Sequence, residues 1–149
     1  MALSVEINGM NELLHDVARA GGDAKPLVKA ALANSATTIQ RNVRERAPHR
    51  TGTLQRSVLF TVDYPTAKVS VQEKYGSYIE DGTRPHDIVP KNKKALFWKG
   101  AYSPYKRVHH PGTKAKPFFK PGVEASENKV KDIFTGVLER LTRELAGRK

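Results

Sequence analysis

Residues 26–72 read PLVKAALANSATTIQRNVRERAPHRTGTLQRSVLFTVDYPTAKVSVQ, and the change of period along this stretch decides the fold. Leu27, Ala31, Leu32, Ala36, Ile39 and Val43 recur at helical intervals and give one apolar face. Pro26 sits in the first turn, where its missing N–H costs nothing, and Asp23 is a plausible N-cap. Ala47 precedes a proline and is biased away from the helical region, so the helix should stop near Arg46. Residues 48–56, with Pro48 and Gly52 as breakers, read as a turn. From Val58 the period becomes two: Val58, Phe60 and Val62 alternate with Leu59, Thr61 and Asp63, and Val69 and Val71 alternate with Lys68, Ser70 and Gln72. The short Tyr64-Pro65-Thr66 link makes these two strands an antiparallel hairpin.

Outward from this unit, Leu3, Val5 and Ile7 alternate as a short strand, broken by Asn8-Gly9. Met10, Leu13, Leu14 and Val17 follow at helical spacing until Gly21-Gly22. Tyr75 to Thr83 fits one helical turn stopped by Gly82, with Tyr78 and Ile79 facing inward. Residues 84–122 hold six prolines, which no regular helix survives. Ile88-Val89 and Ala95–Trp98 are the extended pieces there, and an ordered arm, or a β-ribbon that orders on a partner, suits the segment better than a long structureless loop. Val130, Ile133, Phe134, Val137, Leu138, Leu141 and Leu145 share one face of a C-terminal amphipathic helix over 123–147. At about 1.5–3 kcal/mol per fully buried large apolar side chain, that stripe is expected in the core, packed on the sheet and the second helix. The expected fold is α+β. It is a single domain over 1–149, with a small, mostly antiparallel sheet packed by two long helices, and with 84–120 as an extended basic arm.

Charge is unevenly placed. The 149 residues carry 26 Lys+Arg against 15 Asp+Glu, a net +11, at a mean hydropathy of −0.56. Ten basic side chains fall in 84–120 against Asp87 alone, so this segment carries +9 of the excess. An acidic partner is implied. The absence of cysteine excludes disulfides, zinc–thiolate sites, iron–sulfur clusters and cysteine nucleophiles. The N-terminal MALSVEING has no basic region followed by an apolar run, and no stretch reaches the ~20 apolar residues of a membrane span. The expectation is a soluble protein of a reducing compartment.

No pattern asks for catalysis. His86, Asp87, His109 and His110 hold metal-ligating atoms, but neighbouring histidines on a strand point to opposite faces and no helical HExxH pair is present. There is no GxSxG elbow and no phosphate-cradling glycine loop, and Ser77, His49 and Asp81 read as turn and surface residues. The adjacent carboxylates Glu80 and Asp81 fit a cap beside Gly82. No catalytic residue, metal or cofactor is therefore assigned. Lys91, Lys93 and Lys94 ahead of Phe97-Trp98-Lys99, with Tyr102, Tyr105, Lys106 and Arg107 behind, interleave positive charge with aromatics, as single-strand binding would require. Because no RNP, helix-turn-helix or zinc-finger pattern accompanies them, the preferred expectation is that Phe97 and Trp98 anchor the arm to the core while the lysines keep it soluble.

Three stretches resemble one family. APHRTGTLQRS at 47–57 is similar to an A-P-x-x-T-G-x-L-x-x-S motif, YGSYIEDGT at 75–83 to Y-x-x-Y-V-E-F-G-T, and HPGTKAKPFFKPG at 110–122 to H-P-G-T-x-A-x-P-F-L-R-P-A. In that order they mark the tail-completion, or neck, proteins of long-tailed double-stranded DNA bacteriophages. Asp81 replaces the usual aromatic and Gly122 the usual alanine. The scaffold positions so identified are Pro48, Thr51, Gly52, Leu54, Tyr78, Glu80, Gly82, Thr83, His110, Pro111, Gly112, Pro117 and Phe118.

The resemblance implies structural work at the head–tail junction, in a ring between the connector and the tail tube or its terminator. A hexamer in the virion follows from the tail's symmetry, and the state of the isolated chain, monomer included, stays open. The implied partners are other copies of this chain, connector or head-completion proteins, and tail-terminator or tail-tube proteins. Contact with genomic DNA stays open, and no membrane is involved. The implied location is the virion, with assembly in the host cytoplasm. A ring multiplies the +9 of each arm, and such charge must meet a counter-surface because screening reaches only ~8–10 Å at ordinary salt. Lys91, Lys93, Lys94, Trp98, Lys99, Tyr105, Lys106, Arg107, Lys114 and Lys116 are the candidate partner-binding residues.

Overall fold

The computed structural model describes residues 3–8, 15 and 24–147. Apart from His15, the helix expected from Met10 to Gly21-Gly22 and the Asp23 cap lie outside these residues. Helix α1, Lys25–Arg46, carries Pro26 in its first turn and ends at Ala47, whose extended φ −65°, ψ 133° is what Pro48 demands. Its buried face is Val28, Ala31, Leu32, Ser35, Ala36, Ile39 and Val43. Repeated alanine there lets neighbouring elements approach closely.

Strands β1 (Ser4–Ile7), β2 (Val58–Asp63) and β3 (Thr66–Val71) form an antiparallel sheet of order β1-β3-β2. Opposite each other stand Val58 and Val71, Phe60 and Val69, and Val62 and Ala67, with Val5 and Ile7 of β1 facing Val69 and Ala67. These alternate residues make the inner face, and Glu6, Lys68 and Thr61 the wet one. A single buried face is what period-two sequences produce. Helix α1 covers that face and also packs on the C-terminal helices, so it is the central element.

The 48–56 stretch, expected as a turn, contains the short helix α2, Thr53–Arg56, entered through Gly52 at φ 71°. Leu54 is buried beneath it. Helix α3 (Gly76–Asp81) occupies the YGSYIED stretch. Tyr78 was expected to face inward, yet it is 61% exposed, while Ile79 packs on the core. On so short a helix the inward places go to Gly76, Ser77 and Glu80. Ser77, expected at the surface, is therefore buried, with its hydroxyl donating to the Lys74 carbonyl.

The 84–122 segment holds β4 (His86–Ile88) and β5 (Val108–His110), paired antiparallel as a two-stranded ribbon. Of the expected 95–98 strand only Leu96 pairs, with Tyr105. A short helix α4 (Phe119–Glu124) then precedes α5 (Glu127–Ala146). Gly122 lets α4 lie directly on α1, since a Cβ there would stand 2.8 Å from the Cα of Val43. Ser126 closes the α4–α5 corner, donating to the Gly122 carbonyl and accepting from Asn42 of α1.

The stripe on α5 differs from expectation. Leu141 is buried, Val130, Phe134 and Val137 are half-buried against the core, and Leu138 is exposed. The reason is geometric: α5 packs chiefly on α1, whose opposite side already covers the sheet, so only part of the stripe finds a partner.

One buried carboxylate ties the chain's two halves together. Glu80 of α3 accepts hydrogen bonds from the backbone N–H groups of Phe118 and Phe119 (2.7 and 2.8 Å, both at Oε2) and of Lys120 (2.9 Å, at Oε1). These are the N–H groups that the start of α4 leaves without helical partners. The paired acids at 80–81 are thus split in role: Glu80 caps a helix 38 residues later, and Asp81 is exposed. Glu80→Gln replaces one accepting oxygen by a donor amide, and the expected cost is about 1.5–3 kcal/mol, since hydrogen bonds to a charged acceptor are lost. Urea unfolding, with Asp81→Asn near neutral as the control, checks it.

Candidate assembly surface

The last two resembling motifs meet at a crossing of two glycines. Thr83 N–H donates to the Thr113 carbonyl at 2.9 Å, and Thr113 N–H returns the bond to Thr83 at 3.0 Å. Gly82 has φ 73° and Gly112 φ 89°. A Cβ on Gly82 would lie 2.5 Å from the Thr113 oxygen, and one on Gly112 would lie 2.3 Å from the Thr83 oxygen. Both glycines are therefore required twice over, by conformation and by space. His110 Nδ1 accepts from the Gly112 N–H at 3.1 Å, which pins the Pro111-Gly112 reversal. Lys116 N–H donates to the Ile79 carbonyl at 2.8 Å, extending the contact towards Pro117 and the fully buried Phe118.

The APHRTG stretch reaches the same place. Pro48, Thr51, Gly52 and Leu54 join Tyr75 and Ile79, and Thr113, Lys114 and Lys116, around one cleft of about 480 Å³ with Arg50 also lining it. Arg56 donates to the Thr51 carbonyl at 3.2 Å, and its guanidinium comes within 2.9 Å of where a Cβ on Gly52 would stand. His49 bonds Gln55, which donates to the Arg44 carbonyl, so the loop is fastened to the end of α1. All three stretches thus surround one feature, a relation not visible along the chain.

The ribbon leaves from the crossing. Its faces alternate: His86 stacks on His110 at 5.1 Å between ring centres, while Asp87 bonds His109 at 3.0 Å and Arg107 on the other side. The four residues with metal-ligating atoms are therefore divided between two faces. Among the described residues no group of three or more His, Cys, Asp or Glu is arranged to hold a metal.

All ten basic side chains of 84–120 are exposed, including Lys91, Lys93, Lys94, Lys99, Lys106 and Arg107 of the ribbon and Lys114 and Lys116 at the cleft. The candidate residues therefore divide between two places. Trp98 stacks on Tyr105 at 5.4 Å, and with Ile88, Leu96, Phe97 and Val108 it lines an apolar hollow on the ribbon. Phe97 is 69% exposed, Trp98 48% and Tyr102 100%. This corrects the expectation that Phe97 and Trp98 anchor the arm to the core: the aromatics cluster on the ribbon itself. Arg50 and Tyr75, which no motif or spacing groups with Lys114 and Lys116, join them only through the fold.

Two expectations follow for this region. Gly112→Ala should lower stability by about 1–3 kcal/mol, through the left-handed strain and the clash, with loss of protection at the Thr83 and Thr113 amides in hydrogen exchange. The Arg107 hydrogen bond, and next the His109 hydrogen bond, hold the Asp87 carboxyl below the usual carboxylate range. Its folded value being depressed, the ribbon's extra stability is present above about pH 3.9 and is lost as pH falls through the lowered value. Carboxyl chemical shifts should show this titration, and Arg107→Gln should move it upward towards the ordinary range.

Comparison with curated proteins and with solved structures returns no match. No described helix is long and apolar enough to cross a membrane. Residues 11–82, just under half of the chain, match the family model described as "Bacteriophage HK97-gp10, putative tail-component". The first motif stretch and all but the last residue of the second lie inside that match, and that last residue, Thr83, pairs with Thr113 of the third by reciprocal bonds. Over residues 11–82 the chain is thus similar to the HK97-gp10-like family, described as a putative bacteriophage tail component.

Proposed function

We propose that this chain is a structural joining component of the head–tail junction, acting as one domain that completes the tail through protein contacts rather than by catalysing a reaction. The observation that carries this reading is the ribbon, with exposed Phe97, Trp98 and Tyr102 set among exposed lysines. An apolar hollow on a segment otherwise rich in exposed charge has the composition of a protein interface with a desolvated centre and a polar rim. Large aromatic patches left in water otherwise favour aggregation, so a covering partner gives them a purpose. Assembly in the host cytoplasm into a ring, a hexamer by the symmetry of tails, repeats the contact around the tail axis. The counter-surfaces are acidic patches on a connector, terminator or tail-tube protein.

A second reading is favoured by the same residues. Lysines interleaved with exposed aromatics also suit phosphate contacts and base stacking. Salt separates the two, because DNA affinity falls with a log–log slope of about −0.9 per neutralised phosphate.

The test is complementation of a phage lacking this gene. Lys91, Lys93 and Lys94 changed together to Ser, or Trp98→Ala, should leave tails formed but reduce infectious particles by about tenfold or more, as hot-spot losses of ~1.4 kcal/mol or more per copy would require. Wild-type joining by both variants would remove the ribbon from the assembly contact. Native mass measurement, alone and with tail-tube or connector protein, checks the ring.

A further inference from the structure

The cleft at the meeting of the three motif stretches is a second recognition site, separate from the ribbon: we propose that it takes an extended acidic segment of another virion protein. One apolar side chain of that segment seats against Leu54, Tyr75 and Ile79, and flanking carboxylates meet Arg50, Lys114 and Lys116. The inference rests on the chain's being a tail component and not on what the ribbon contacts.

Size comes first. About 480 Å³ lies within the ~300–1,000 Å³ of sites that enclose a ligand, and suits a few residues of extended chain. Chemistry narrows the occupant. Leu54, Tyr75 and Ile79 supply apolar lining, which a phosphodiester backbone cannot use, whereas a Leu, Phe or Trp side chain can. The charged lining residues of this cleft are all basic. The basic ribbon of a second copy is a poor occupant, since its +9 over 84–120 would set like charges against Arg50, Lys114 and Lys116. An acidic foreign segment is the complement.

The walls are also set in advance. Thr113 is paired with Thr83, Lys116 with the Ile79 carbonyl, and Thr51 with Arg56. A segment entering this cleft meets a backbone already held, so little ordering cost falls on the protein side. The exposed basic side chains contribute modestly one by one, and the apolar anchor supplies the larger share.

The probe is a random twelve-residue peptide library selected on the purified full-length chain. The leading sequence is then synthesised with a fluorophore and measured by anisotropy at 0.15 M salt beside a labelled twelve-residue oligo-dT. Enriched peptides should carry two or more Asp or Glu around a Leu, Phe or Trp. Arg50→Glu with Lys116→Glu should weaken the peptide about tenfold or more, and the Lys91, Lys93, Lys94 to Ser variant should bind it as the unaltered chain does. If circular dichroism shows that charge reversal unfolds the protein, Arg50→Gln with Lys116→Gln takes its place, with a several-fold loss expected. Enrichment without acidic residues, affinity indifferent to these changes, or oligo-dT displacing the peptide at equal concentration would each overturn the proposal. Because the ribbon variant is a separate arm, failure here leaves the joining role standing, and failure of complementation leaves the cleft standing.

Discussion

The carboxylate of Glu80 is the constraint on which the rest depends. It is buried, and it accepts three backbone N–H groups from Phe118, Phe119 and Lys120. A buried charge is tolerable only when its oxygens are satisfied, and the start of α4 supplies donors that would otherwise be orphaned. Each group removes the other's penalty. The bond joins α3 to the segment that returns from the ribbon, and it seats Phe118 in the core beside α1.

Around that anchor, the glycine crossing sets the ribbon's exit. Gly82 and Gly112 bring two strands of backbone closer than any side chain permits, and the reciprocal Thr83–Thr113 bonds close the base of an excursion of 29 intervening residues. Loop closure at this base means that the ribbon needs little packing of its own. Its side chains are consequently free to face outward, as the exposure of Phe97, Trp98 and Tyr102 shows. The exposed aromatics and the buried contacts that close the fold lie in different parts of the chain.

Local physics made much of this legible. The i, i+3, i+4 stripe of α1, its stop before Pro48, and the alternating hairpin at 58–71 depend on neighbours a few residues away, and each appears where the pattern puts it. The ribbon's existence followed from proline spacing and the improbability of a bare loop. Tyr78 and α5 went otherwise because burial is a property of what lies opposite. A helical turn has an inside only once α1 and the sheet are placed, and α5 can bury no more of Leu138 than α1 has surface left to cover.

By itself the sequence determined the element types, the α+β class, the concentration of charge in 84–120, and a resemblance to a phage tail family over residues 11–82. Those properties are written in short-range spacing and in composition. Only the tertiary structure decided that Glu80 is a helix cap rather than a surface acid, that the aromatics of the ribbon face outward, and that Arg50, Tyr75, Ile79 and Lys116 share one cleft. The physical reason is the same in each case. Partners separated by dozens of residues are chosen by packing and by the satisfaction of buried polar groups, and neither leaves a periodic signal in the chain.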